Sequence, residues 1–192
     1  MEPNYGYVKA APQTGGPFSS KMLFIIGGLV MAIIIASVLL LSSGGTNTST
    51  QSQRLILRMN DLQAILSDTE TTRHLKNQKL SNLVASFKLT QTTHINDLNT
   101  VLASQLPEKM DEKIIASETD TSTAATIEEG YLKNQLDYVY ADVLTKKIAS
   151  LRALIAELYA KTKDHKLKQT LENIDKNLLK TNKQVEALSI VN

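Results

Sequence analysis

The chain has 192 residues, which leaves room for one domain once a membrane segment and a tail are set aside. Its 21 basic and 19 acidic side chains are mixed along the sequence for a net charge of +2, too balanced to supply the phosphate-neutralising surface that a nucleic-acid partner needs. There is no Cys, which excludes disulfides, thiolate metal sites and thiol nucleophiles, and with no Trp and 5% aromatic residues the core must be aliphatic, as in packed helices.

Residues 1–21 (MEPNYGYVKAAPQTGGPFSSK) are rich in Gly, Pro and Ser without an apolar period, and predict a disordered tail in which Tyr5 and Tyr7 are the only candidate motif. Residues 22–41 (MLFIIGGLVMAIIIASVLLL) carry no charge, and about 20 helical residues match a hydrocarbon core of roughly 30 Å. The apolar run is longer than the core of a signal peptide and lacks a good small-x-small site after it, so it predicts an uncleaved single-pass anchor. Lys9 and Lys21 precede it, whereas residues 42–53 are neutral, which places the N-terminus in the cytoplasm and the remainder of the chain outside it. Within the span Gly28, Ala32 and Ala36 form a stripe of small residues, a candidate face for packing a second membrane helix.

Residues 42–53 (SSGGTNTSTQSQ) predict a flexible linker, with a glycosylation acceptor pattern at Asn47-Thr48-Ser49 that matters only in a eukaryotic secretory pathway. Helical periodicity then occupies residues 54–190. Leu55, Met59, Leu62 and Leu66 share one face of a first helix over about 53–67. Ser67-Asp68-Thr69-Glu70 resembles a capping box that opens a second helix, where Leu80, Val84, Phe87, Leu98 and Val101 keep the step to about Gln105. Leu106-Pro107 breaks the pattern, a short helical piece with Met110 and Ile114 follows, and SETDTSTAAT is a polar loop. A second capping box, Thr126 with Glu129, predicts a long third helix to about Lys163, seamed by Leu144, Ile148, Leu151, Ile155 and Leu158. The fourth carries Leu167, Leu171, Ile174, Leu178, Val185 and Leu188, interrupted only by Thr181.

Two tight turns and one long connection predict an all-α fold, an N-terminal transmembrane helix followed by an antiparallel four-helix bundle with one long crossover. A faint repeat at constant offset, in which His74, Leu80 and Phe87 answer His165, Leu171 and Leu178, supports two related hairpins.

The stretches LVASFKLTQTTHINDLNTVL (Leu83 to Leu102), QLPEKMDEKI, YLKNQLDYVYADVLTKKIASLRAL and DHKLKQTLENIDKNLLKTNKQVEAL resemble a family of bacterial ferritin-like, envelope-associated four-helix bundles classed as a domain of unknown function. The resemblance spans most of residues 54–188 and implies a ferritin-like fold more than an activity. His94 stands where such proteins tend to carry a His in helix two, while Lys146 or Lys147 stands at the matching place in helix three.

Ferritin-like metal sites use inward Glu residues and a Glu-x-x-His motif, and no Glu-x-x-His occurs here. The candidate polar seam is therefore Gln91, His94 and Asp97 on helix two, for which a satisfied core histidine is the plainer reading. Three histidines on regular helices do not assemble a nucleophilic triad, and no Gly-rich loop follows a strand, so neither catalysis nor a cofactor is expected. Lys161, Lys163, Lys166, Lys168, Lys176, Lys180 and Lys183 make the last hairpin locally basic, either a solvated face or an attraction for anionic lipid or wall polymers. Tyr131 and Tyr138 are core flank or a recognition stripe. The expected function is a binding, scaffold or accessory protein at the cell envelope, with the lipid bilayer and another envelope protein or itself as partners; the alternatives are a ferritin-like metal or redox protein and an oligomeric coiled-coil stalk.

Overall fold

Every regular element among residues 46–107 and 109–189, the part of the chain that the computed structural model describes, is an α-helix. In chain order they are α1 (Thr46–Ser67), α2 (Thr69–Thr72), α3 (Gln78–Leu102), α4 (Glu112–Glu118), α5 (Thr123–Leu132), α6 (Leu136–Lys161) and α7 (His165–Ser189). Among the described residues no helix is long and apolar enough to cross a membrane. The expected tail and the apolar run 22–41, with Gly28, Ala32 and Ala36, lie outside the described residues.

The four long helices form a bundle in which α1 packs on α3 and α6, and α7 packs on the same two. Rising positions on α6 meet falling positions on α1, since Tyr140 bonds Ile65, Lys147 pairs with Asp61, and Ser150 meets Arg58. These neighbours are therefore antiparallel. A reversal through α2 and a three-residue turn at 162–164 make α1–α3 and α6–α7 antiparallel as well, and Gln105 at the end of α3 donates to Asp164 at the start of α7. The α3–α6 connection consequently runs the length of the bundle, with α4 against α1 and α5 against α6.

The core is the aliphatic seam expected from the four-three spacing. Leu55, Met59 and Leu62 on α1, Leu80 and Leu98 on α3, Leu144 and Ile148 on α6, and Leu171 and Leu178 on α7 are all buried in one cluster. Thr181 is buried in line with them.

Three boundaries differ from the sequence reading. First, α1 starts at Thr46, within the stretch expected to be a tether. Gln51, Ser52 and Gln53 are buried there, and Gln53 Oε1 accepts the backbone N–H of Asp111 at 3.0 Å, so this polarity serves packing and capping. Second, Asp68 caps only the single turn of α2, accepting from the backbone of Glu70 and Thr71. The long helix starts afresh at Gln78, with the Asn77 side chain accepting from the backbone of Lys79 and Leu80. Third, the expected third helix is two helices. Thr126 Oγ1 donates to the Ser122 carbonyl and Glu129 pairs with Lys133, so that capping box does not form. The chain turns at Lys133–Gln135 through Asn134, whose φ of 59° is a left-handed value that Asn tolerates better than most residues. Gly130 lets the two helices meet closely, because a Cβ there would lie 2.7 Å from Val139 Cβ.

Candidate functional site

Where the connection passes from α4 to α5 it crosses the groove between α1 and α6, enclosing a polar cleft of about 350 Å³. Its floor comes from Arg58 and Asp61 on α1 and Lys147 and Ser150 on α6; its lid comes from Glu118 and Asp120 on the crossing segment. The segment is shaped locally. Asp111 caps α4 by accepting the Lys113 N–H, and Asp120 folds the turn before α5 by accepting from the backbone of Ser122 and Thr123 and from the Thr123 hydroxyl.

Two charge clusters hold lid to floor. The Arg58 guanidinium donates through Nε and Nη2 to the two oxygens of Glu118, at 2.5 and 3.2 Å, and through Nη1 to Ser150 Oγ at 2.7 Å. Arg54 lies 3.4 Å from the same carboxylate. One Arg fork thus joins α1, the crossing segment and α6, with the fixed geometry that only a bidentate pair provides. In the second cluster Lys147 Nζ lies 2.5 Å from both Asp61 Oδ2 and Asp120 Oδ2.

The two carboxylates that share Lys147 respond differently. Burial raises Asp61, and among the described residues Lys147 is the only side chain that donates to it, so its pKa stays above the usual carboxylate value. Burial acts on Asp120 too, but Lys147, Thr123 and two backbone N–H groups together carry it well below the usual range. Burial alone would lower Lys147; its bonds to both carboxylates more than compensate and keep it firmly charged. Each carboxylate of the cleft is thus held by a cation, which suits a clamp between elements and leaves no free carboxylate to act as a base.

The structure brings together two of the three residues of the expected polar seam. Gln91 and His94 are both buried on α3, and Gln91 Nε2 donates to the Met59 carbonyl at 3.3 Å. His94 is 6% exposed, its Nε2 has no hydrogen-bond partner among the described residues, and burial lowers its pKa, opposed in part by the charge of Asp97. Asp97 itself faces solvent. Among the described residues no three His, Asp or Glu side chains converge to hold a metal ion. His74 packs against the Tyr131 ring, 5.0 Å between centroids, and His165 is exposed at the start of α7. Lys146 is a surface side chain paired with Asp142.

Periodicity missed the clamp because its members stand at the margin of the apolar stripe, the usual place for solvated charges. The readable trace was opposite charge on two stripes, Asp61 beside Leu62 against Lys147 beside Ile148. Comparison with protein-family models, curated proteins and solved structures finds no match to this chain, so fold and site define it as a helical bundle with a clamped crossover.

Proposed function

We propose that this chain is a membrane-anchored, extracytoplasmic helical bundle that works by binding, as a scaffold or accessory component of the cell envelope. The anchor reading rests on the uncharged run 22–41 and the lysines before it. The observation that carries the binding role is the α5–α6 corner, where Leu132 and Tyr138 are 67% and 58% exposed although Ile127 and Leu136 on either side are buried. This corner belongs to the end of the bundle away from the start of α1, the end a tethered domain presents to other proteins. A large apolar and an aromatic side chain next to a rigid turn suit anchoring into a partner's pocket. Pull-down of the full-length protein from its native membrane, followed by mass spectrometry, tests the reading. A stoichiometric envelope protein that is lost from the L132S/Y138S variant is the expected result, and an unchanged set of copurifying proteins overturns it.

A second reading, a ferritin-like bundle with a metal or redox role, is favoured by topology alone: adjacent helices are antiparallel and one connection runs the bundle's full length, as in ferritin-like folds. Elemental analysis of the purified protein separates the two, since a metal role requires a stoichiometric transition metal and a binding role does not.

A further inference from the structure

Four of the seven lysines of the last hairpin, Lys161, Lys163, Lys166 and Lys168, gather around its turn at one end of the bundle. That end gathers the start of α1 at Thr46, the end of α3 and the α6–α7 turn, held together by the Gln105–Asp164 hydrogen bond. Lys161, Lys163 and Lys166 are all exposed there. Of the acidic groups nearby, Asp164 is engaged as the cap of α7, accepting from the backbone of Lys166 and Leu167, and Glu157 pairs with Lys161 at 2.9 Å. Lys163 and Lys166 have no ion pair among the described residues. At the far end Arg73 pairs with Glu70 and Lys133 with Glu129, while the Lys76 ammonium donates to the Asn134 side chain.

The position of this end follows from chain length. Only Ser42–Gly45 separate Leu41, the last residue of the apolar run, from Thr46, and that stretch spans at most about 17 Å. A helix as long as α3, with 25 residues, extends about 37 Å. The start of α1 therefore stays closer to the bilayer than the bundle is long, with its lysines about one or two screening lengths from the headgroups.

We infer that the lysine-bearing end of the bundle docks on anionic phospholipid headgroups, so that the domain stands on the membrane by the α6–α7 turn and the end of α3. The inference rests on the anchor reading and adds a specific surface to it. Lysine ammoniums next to an anionic surface gain attraction that adds roughly per residue and fades with salt. Pro107 and Ala103 at the same end are exposed and uncharged, and the Asp111 carboxylate beyond them is engaged as the cap of α4.

The absence of Cys makes the test direct, because one introduced thiol labels one place. Full-length protein carrying Ser104→Cys at the docking end, or Lys79→Cys at the far end, is labelled with a fluorophore. Each is reconstituted into phosphatidylcholine vesicles with or without a third of phosphatidylglycerol, doped with a lipid bearing a short-range quencher on its headgroup. Flotation with the vesicles reports the anchor itself. The expected result is quenching at position 104 that strengthens with phosphatidylglycerol, falls on adding salt, and exceeds quenching at position 79 several-fold. Each of Lys161→Gln, Lys163→Gln and Lys166→Gln weakens the charge-dependent part by about fivefold. Salt dependence in the unsubstituted chain keeps the test sound should any of these variants fold poorly. Flotation with equal quenching at both positions, or quenching at 104 indifferent to lipid charge, overturns the docking; failure to float overturns the anchor instead.

Discussion

The phenol of Tyr140, on α6, donates to the backbone carbonyl of Ile65 in the last turn of α1 at 3.0 Å, and the ring is fully buried. The last carbonyls of a helix have no partner within it, so one side chain here both fills the core and satisfies a helix end. Tyr140→Phe removes only the hydrogen bond and lowers stability by about 1 kcal/mol, whereas Tyr140→Ala also opens a cavity and costs about 3–5 kcal/mol. Denaturant melts of the full chain in detergent, followed by circular dichroism, should show that order; an unchanged midpoint for Tyr140→Phe would mean the hydroxyl contributes nothing.

Lys147→Met leaves Asp61 and Asp120 facing each other without their shared cation. Both are about one-fifth exposed, so the loss should be about 1–3 kcal/mol, below that of a fully buried pair. Amide exchange around residues 118–122 should accelerate more than in α3, because the clamp holds the crossing segment locally. Adding Asp61→Asn to Lys147→Met should recover part of the loss, Asp61 being the carboxylate that burial already disfavours as an anion.

His94 predicts acid sensitivity. Burial holds its folded pKa below 6.5, the value of a free imidazole, so between the two values the unfolded chain binds more protons than the folded one. Its contribution is complete above pH 6.5 and is lost as the pH falls through that window. His94→Leu should abolish this part of the pH dependence of the melting midpoint; an unchanged slope would place the sensitivity elsewhere.

Gly130→Ala should destabilise the α5–α6 corner by about 1–3 kcal/mol, since the new methyl group meets Val139 Cβ at 2.7 Å. Trimming the neighbour with Val139→Ala does not relieve the clash, because the crowded atom is the Cβ that Ala keeps. A rescue by that second substitution would show that the branched methyls, rather than the helix backbones, set the spacing.

Helix type and core were legible because Leu55, Met59 and Leu62, or Leu171 and Leu178, recur at helical spacing, and burial depends on that spacing more than on any partner. The start of α1 was not, because Gln51, Ser52 and Gln53 read as solvated until Asp111 appears as the bonding partner of Gln53, 58 residues on. The break at Asn134 was hidden by continuous apolar periodicity on both sides, and its cause lies in a backbone angle that sequence does not display. The clamp is legible only as pairs: Arg58 and Glu118 are 60 residues apart, and nothing local in either indicates the other.

The ties on α1 also have a mechanical meaning. Arg58 to Ser150, Asp61 to Lys147 and Ile65 to Tyr140 join α1 to α6 at three successive levels along its length. Force entering through residues ahead of Thr46 runs along the axis of α1 and loads these cross-links in shear, all three sharing it at once instead of opening one after another. Such an arrangement resists pulling along the helix far better than peeling it sideways, so the strength of the domain depends on the direction from which it is drawn.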